Sequence, residues 1–157
     1  VTLFEMLVVI GLLAIVSAFV VPNIMTWRRG VQLRGAANNL KGDLELAKTN
    51  AIRENNYVAI LFLDALRYEI FVDNGAGDDG IADNWKRDGE ERLLRRREMP
   101  PGVTIDLAST SFGFLGKKTR FTGRGHSTAG SAFLQNEKND RIRVIVNRLG
   151  QITLEKQ

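Results

Sequence analysis

The sequence predicts an α+β fold in which one long N-terminal helix packs on a small antiparallel β-rich head. Two observations predict it. Apolar residues recur with helical spacing through the first third of the chain, and the remainder holds short β-rich segments separated by turn residues. We divide the chain into residues 1–26, an apolar half of the helix, and residues 27–157, which hold the amphipathic half of the helix and the head.

The first part of the helix is apolar on every side. Residues Met6 to Met25 read MLVVIGLLAIVSAFVVPNIM and contain no charge, and about 20 helical residues cross a hydrocarbon core. Trp27, Arg28 and Arg29 follow, and these residue types favour a membrane interface. We therefore predict a transmembrane helix. A cleaved secretory signal peptide fits less well, because it begins with basic residues and has a shorter apolar core.

Glu5 and Pro22 interrupt this apolar pattern. Glu5 is the only charged residue before Arg28, and a carboxylate beside lipid is costly unless it is paired. The nearest available cation is the α-amino group of Val1, in the same subunit or in a neighbouring one. Pro22 lacks a backbone N–H and crowds the preceding turn, so it weakens or kinks the helix.

The segment TLFEMLVVIGLLAIVSAFVVP resembles the N-terminus of mature type IV pilins and type II secretion pseudopilins, which share Glu at the fifth position and Pro at the twenty-second. Val1 departs from the usual Phe. The resemblance implies that a prepilin peptidase removes a short basic leader and methylates the Val1 amine. It implies that Glu5 pairs with the N-terminal amine of a neighbouring subunit. It also implies that the stretch around Pro22, about residues 14–23, melts in a filament and stays a kinked continuous helix in a monomer.

The helix continues beyond the apolar run with a different spacing. One face is apolar at intervals of three and four residues. This face comprises Leu33, Ala37, Leu40, Leu44, Ala47 and Ala51. Asn55 and Asn56 end the pattern. The spacing predicts a continuous helix from residue 2 to about residue 54, with this face against the head.

Turn residues divide the rest of the chain into short strands. Residues 57–63 and 67–72 are predicted to form a hairpin. A polar stretch, DNGAGDDGIADNWKRDGEE, follows them. Further strands are predicted near residues 92–98, 103–107, 131–134, 141–147 and 151–155, with a turn at Pro100-Pro101-Gly102.

Two further segments, AANNLKGDLELAKTNAIRENNYVAI and GRGHSTAGSAF with the tail RIRVIVNRLGQITLE, resemble the minor pseudopilins of GspH/FimT type. The implied fold is pilin-like. The implied function is that of a structural subunit, without catalysis, that inserts in the bacterial inner membrane with its head in the periplasm. It then assembles into a type II secretion pseudopilus or a type IV pilus filament. The implied partners are other pilin or pseudopilin subunits, the inner-membrane assembly machinery and the prepilin peptidase. The residues leave open which machine uses the subunit, and whether it is a minor or a homopolymeric one.

The composition provides no catalytic set of residues. The chain has no Cys, which excludes disulfides and thiolate metal sites, and His126 is its only His. Ser127 follows His126, but no nucleophile-elbow motif accompanies the pair. An enzyme held by a membrane anchor is therefore the least supported alternative.

The polar stretch after the hairpin contains acids that could bind calcium. The candidate ligands are Asp73, Asp78, Asp79 and Asp83. Carboxylate oxygens suit Ca²⁺, but the spacing does not match the EF-hand pattern. Asp, Asn and Gly also form turns for local reasons. We therefore expect a solvated loop without a cofactor, with calcium as the alternative.

The head is mildly basic. After Met25 the chain carries 22 Lys and Arg against 17 acids, and a basic surface favours anionic partners. The alternative function is therefore that of a DNA-binding minor pilin of a DNA-uptake pilus. Its candidate contacts are Arg95, Arg97, Lys117, Lys118, Arg120 and Arg124. Known subunits of that kind carry a basic Gly-Arg motif near the C-terminus, where this chain has Gly150-Gln151.

Overall fold

The computed structural model describes residues 2–76, 85, 87, 90–113 and 116–157, apart from the side chains of residues 18–23, 25 and 26. Four of the candidate site residues, Val1, Asp78, Asp79 and Asp83, lie outside the described residues, as does the side chain of Pro22. The described part folds as one helix and nine strands in two antiparallel sheets. This architecture confirms the predicted α+β class.

Helix α1 runs without interruption from Leu3 to Glu54, within one residue of the predicted range at its start. Asn55 ends it in the left-handed conformation (φ 49°), which Asn tolerates better than most residues. The backbone therefore passes through Pro22 as helix in this single chain. The melting of this stretch in a filament stays a prediction.

The strands of the described residues are short and follow the turn residues. They are β1 Tyr57–Phe62, β2 Arg67–Asp73, β3 Leu93–Glu98, β4 Val103–Ile105, β5 Ser111–Phe112, β6 Lys118–Phe121, β7 Gly130–Asn136, β8 Arg141–Val146 and β9 Ile152–Lys156. Apart from β5 and β6, all of them were predicted from the sequence to within two residues at each end. The two missed strands have two and four residues, which is too few to show a period.

The strands pair into a first sheet with the order β3–β2–β1–β6 and a second with the order β4–β7–β8–β9, in which β5 also pairs with β7. β1 and β2 form the predicted hairpin, with Phe62 opposite Tyr68. β6 returns from much later in the chain to lie beside β1, with Val58 opposite Phe121. Both sheets therefore combine strands that are distant in sequence.

The apolar face of α1 and the two sheets form one core. The six predicted members of this face, Leu33, Ala37, Leu40, Leu44, Ala47 and Ala51, are all at most 2% exposed. They belong to one buried cluster with Ile60 and Phe121 of the first sheet and with Leu134 and Val144 of the second. Each buried side chain of Leu size stabilises the fold by about 1.5–3 kcal/mol. The second half of α1 is therefore an integral part of the head.

Asp43 is a charged residue buried within this face of α1. Its Oδ2 accepts hydrogen bonds from the Tyr68 hydroxyl and from Arg97 Nε, both at 2.7 Å. Arg97 Nη2 donates to the other carboxylate oxygen at 3.2 Å, and Arg95 Nε lies 3.7 Å from it. The hydrogen bond to Asp43 raises the pKa of Arg97. Burial, together with the same carboxylate, raises the pKa of Tyr68. The network joins α1 to β2 and β3.

We predict that Asp43→Ala lowers the free energy of unfolding by about 2–3 kcal/mol, because the change leaves Arg97 and the Tyr68 hydroxyl without their shared acceptor. Glu45→Ala is the control, since Glu45 is an exposed acid on the same helix, and it should cost less than about 0.5 kcal/mol. Urea unfolding of the full chain in detergent, followed by near-ultraviolet circular dichroism, measures both. Equal effects of the two changes would contradict the structural role of Asp43.

We predict that Gly130→Ala breaks the pairing of β5 with β7 and destabilises the fold by about 1–3 kcal/mol. Gly130 lies opposite Phe112, and a Cβ at this position would collide with the Ser111 carbonyl oxygen and with the Phe112 backbone. Gly42→Ala is the control, because a Cβ at Gly42 in the middle of α1 meets nothing within 4 Å. That change should stabilise the helix by about 0.5–1 kcal/mol. An unchanged midpoint for Gly130→Ala in the same unfolding experiment would argue against the close approach.

Candidate functional site

The first half of α1 presents a continuous apolar surface that the head does not cover. We call residues 3–17 the stem. Its large apolar side chains, from Leu3 to Val16, are between 42% and 84% exposed, whereas the helix face that begins at Leu33 is buried. An exposed apolar surface of this extent marks a contact with a membrane or with other proteins.

The predicted transmembrane character of this half of the helix is not established by the structure. In the described part of the chain, no helical segment is both long enough and apolar enough to cross a membrane.

Glu5 lies at the start of the stem and caps the helix. Its Oε2 accepts a hydrogen bond from the backbone N–H of Thr2 at 3.1 Å, and its own N–H donates to Thr2 Oγ1 at 3.3 Å. This reciprocal pair is a capping box, which satisfies backbone donors at a helix N-terminus. Sequence analysis missed the box, although Thr-x-x-Glu before an apolar run is its signature. Glu5 therefore has a structural role within the subunit, and its predicted pairing with a neighbouring subunit stays a prediction.

The candidate nucleic-acid contacts fall into two separate groups. Arg95 and Arg97 lie on β3, at one edge of the first sheet, and both approach Asp43 on the helix side of that sheet. Lys118 and Arg120 lie on β6, at the other edge. Lys117 precedes β6 and Arg124 follows it, and both are exposed. The structure therefore does not bring the six candidates together on one surface.

The alternation of side chains along β3 also divides its three consecutive arginines. Arg96 points away from Asp43 and forms an ion pair with Glu69, with Nη2 2.9 Å from Oε2. On the other face, Arg97 Nε lies 2.7 Å from a carboxylate oxygen of Asp43, closer than Arg95 Nε at 3.7 Å. The two clearest β3 ion pairs thus lie on opposite faces of the sheet.

Asp73, the described member of the candidate calcium ligands, is buried at the end of β2. Its Oδ2 accepts a hydrogen bond from the backbone N–H of Trp85 at 3.0 Å. Within the described residues, no group of three or more acidic or His side chains is arranged to hold a metal ion. Asp73 instead holds the backbone N–H of Trp85.

His126 is exposed on the connection between β6 and β7. The Ser127 hydroxyl donates to the carbonyl oxygen of Asn147 at 2.6 Å. Such a hydroxyl is fixed by a backbone contact and is not directed at a general base. The geometry offers no support for a hydrolytic pair.

A feature that sequence analysis did not foresee lies near the C-terminal end of α1. The guanidinium carbon of Arg120 lies 4.7 Å from the ring centre of Tyr57 and 4.6 Å from that of Trp85, which is the geometry of a cation–π contact on both rings. Trp85 has a φ of 64°, which is uncommon for a bulky residue. The hydrogen bond to Asp73 holds it in that conformation.

Arg120 and Trp85 line a surface cleft of about 720 Å³, which we call the distal cleft. Its lining includes Trp85, Arg120, His126, Thr128, Arg148 and Leu149. His126 also lines a second cleft of about 380 Å³ together with Asn55, which ends α1. The distal cleft therefore lies at the end of the head where α1 terminates, far from the stem.

The comparison with protein families decides the identity of the fold. The family model described as "Type II transport protein GspH" matches residues 36–150. The chain belongs to the GspH family. The match includes the core face of α1 from Ala37 to Ala51 and all strands from β1 to β8.

Solved structures of GspH-like subunits share this fold. EpsH, the minor pseudopilin of the type 2 secretion system of Vibrio cholerae, is 15% identical with a TM-score of 0.58, over 80% of this chain and 97% of that one. FimU, a type IV minor pilin of Pseudomonas aeruginosa, is 16% identical with a TM-score of 0.59, over 82% and 92%. GspH of E. coli is 16% identical with a TM-score of 0.55, over 81% and 88%. No curated protein sequence matches this chain.

Membership of the GspH family confirms the resemblance that the N-terminal motif and the head segments predicted. The chain is a pilin-like subunit of the kind that forms type II secretion pseudopili and type IV pili. The family consists of structural pseudopilins.

Proposed function

We propose that the stem of this GspH-family subunit anchors it in the inner membrane before assembly and packs in the filament core afterwards. The observation that carries this proposal is the exposure of the stem along its whole length, on a helix whose other half is buried in the head. Lipid tails or the stems of other subunits would each remove this apolar surface from water. Membership of the GspH family also supports a membrane-anchored stem, because pseudopilins of this family are membrane-anchored subunits of periplasmic filaments.

We favour a type II secretion pseudopilus over a type IV pilus, and a minor subunit over a homopolymeric one. The family model is described for type II transport, and EpsH of similar fold is a minor pseudopilin. In this proposal the head lies in the periplasm. The partners are other pseudopilins, the inner-membrane assembly machinery and the prepilin peptidase that exposes and methylates the Val1 amine.

Glu5 would hold the subunit in register within the filament. Its carboxylate lies at the start of the stem, where the amine of Val1 from a neighbouring subunit would approach it. An unpaired charge in an apolar filament core is costly, and a neighbouring amine relieves that cost only when the two stems are correctly staggered. The capping box keeps the carboxylate at a fixed position on the helix end.

The capping role and the pairing role of Glu5 predict different results for two variants. Glu5→Gln keeps a side chain that can complete a capping box, whereas Glu5→Ala loses both the cap and the charge. We predict that both variants insert in the membrane and that both enter the sheared filament fraction about tenfold less than the parent chain, because both lack the charge that pairs with Val1.

The matched control for this experiment is Thr2→Ser, which keeps the cap and the charge and should assemble normally. Quantitative immunoblotting of filament and membrane fractions measures all three variants. Normal incorporation of Glu5→Gln with loss of Glu5→Ala would show that Glu5 acts as a helix cap alone.

Pro22 is the proposed site at which α1 breaks during assembly. We predict that residues 14–23 are extended in the filament, because Pro22 cannot donate a backbone hydrogen bond and neighbouring stems can satisfy the freed groups. Extension would lengthen this stretch by about 15–20 Å. A filament reconstruction by electron cryomicroscopy measures it. An unbroken helix from residue 14 to residue 25 in that reconstruction would refute the prediction.

A further inference from the structure

We propose that a groove at the stem end of the head binds the headgroup of an anionic phospholipid. The groove has a volume of about 350 Å³ and lies between α1 and the strands β8 and β9. We call it the proximal groove, and its lining comprises Arg34, Ala37, Asn38, Ile142, Leu154 and Lys156. The inference rests on the proposed function, because it requires the stem to lie in the membrane.

The proximal groove is continuous with the stem along one face of α1. Trp27, Gly30 and Arg34 are spaced by three and four residues, which places them on the same face of the helix. A smaller cavity that shares Arg34 and Lys156 with the groove extends to Gly30, one helical turn nearer the stem. A Cβ at Gly30 would meet nothing within 4 Å, so the space beside it is open. The groove therefore extends towards the stem.

This position corresponds to the headgroup layer of a membrane that contains the stem. Each headgroup layer is about 5–8 Å thick. Trp27 is 69% exposed, Arg28 is exposed, and both residue types favour the boundary between hydrocarbon and headgroups. Arg34 follows Trp27 by about 10 Å along the helix, but helical side chains tilt towards the N-terminus. Its guanidinium therefore reaches back over the turn at Gly30, to the height of the lipid phosphates.

The proximal groove presents two cations that have no partner in the described part of the chain. Arg34 and Lys156 are both exposed, and within the described residues neither forms a hydrogen bond or an ion pair. Asp140 also lines the smaller cavity, but its Oδ2 already accepts a hydrogen bond from Asn136 Nδ2 at 2.8 Å. A guanidinium offers a planar pair of donors to a phosphate, and an ammonium adds a second positive charge. The excess of positive charge favours an anionic headgroup over a zwitterionic one.

The rest of the lining favours a lipid over a small soluble anion. Ala37, Ile142 and Leu154 give the groove an apolar part beside its two cations. Such side chains can cover the glycerol and the first methylene groups of a lipid, whereas a free phosphate has no apolar part to bury. A membrane that holds the stem also supplies headgroups at this height at a high effective concentration. The phospholipid is therefore the occupant that both the chemistry and the position of the groove select.

Lipid binding by the full chain in a nonionic detergent tests the proposal. Native mass spectrometry measures the dissociation constants of phosphatidylglycerol, which is anionic, and of phosphatidylcholine, which is zwitterionic. We expect phosphatidylglycerol to bind about tenfold more tightly, and Arg34→Gln and Lys156→Gln each to weaken its binding about fivefold. Arg124→Gln is the matched control, because Arg124 is an exposed cation outside the groove, and it should leave the binding unchanged.

A second pair of variants distinguishes a defined groove from diffuse attraction between charges. Gly30→Leu fills the open space next to the groove and keeps every charge. Gly42→Leu places the same side chain at an equally open position of α1 outside the groove. We expect Gly30→Leu to weaken the binding of phosphatidylglycerol about fivefold, because the headgroup can no longer reach both cations. Gly42→Leu should have no effect on it.

Equal affinities for the two lipids, equal losses in Arg124→Gln and Arg34→Gln, or unchanged binding in Gly30→Leu would each overturn the groove assignment. Displacement of phosphatidylglycerol by an equal concentration of inorganic phosphate would identify a free anion as the ligand and would also overturn it. Alkaline extraction of cell membranes tests the proposed function separately. A parent chain that stays in the membrane but fails the lipid test leaves the anchoring role intact, whereas a parent chain that is released overturns both proposals.

Discussion

Helix α1 lies in two environments, because its second half is buried against the head and its first part, the stem, is exposed. It spans 52 residues, about 78 Å at the ordinary helical rise, and the head covers only its second half. The core face there combines Leu with Ala, and its six residues are buried in one cluster with apolar side chains of both sheets. Close packing of this kind resists any rotation of the helix, because each side chain occupies a specific volume. The two sheets therefore share one rigid support, and the stem leaves the head in a defined direction.

Asp43 adds orientation to this packing. An apolar face can tolerate small shifts, since contacts between methyl groups are not directional. The carboxylate of Asp43 accepts two hydrogen bonds from Arg97 and one from Tyr68, and these require the helix to sit at one rotation and one height relative to β2 and β3. Buried ion pairs often contribute little net stability compared with apolar residues of the same size. In this subunit the hydrogen bonds to Asp43 fix the orientation of α1 against the first sheet, and with it the angle between the stem and the head.

The sequence predicts those features that repeat within a short window. The face from Leu33 to Ala51 and the hairpin of β1 and β2 show their periods locally, and the structure confirms them. β6 could not be predicted, because its four residues gain their place only by pairing with β1. Asp43 was not recognised, since a single acid on a helix shows its burial only when Tyr68 and Arg97 are brought against it. The stacking of Arg120 on Tyr57 and Trp85 depends in the same way on three segments that meet only in the folded head.

The Thr2–Glu5 capping box differs from these features, because its signature, Thr-x-x-Glu before an apolar run, lies within a short window of the sequence. The resemblance to pilins assigns Glu5 a partner in another subunit, whereas the Thr-x-x-Glu signature assigns it a cap on its own helix. Both roles are chemically compatible, since a carboxylate has two oxygens and the box uses Oε2. A helix cap that also carries the charge for assembly would place that charge at a fixed point on a rigid rod. Near the other end of α1, Lys48 Nζ donates a hydrogen bond to the carbonyl oxygen of Gly150, in the turn that carries Arg148 and Leu149. Because α1 connects the two ends without a break in the single chain, the height of a subunit at Glu5 also sets the height of its distal cleft.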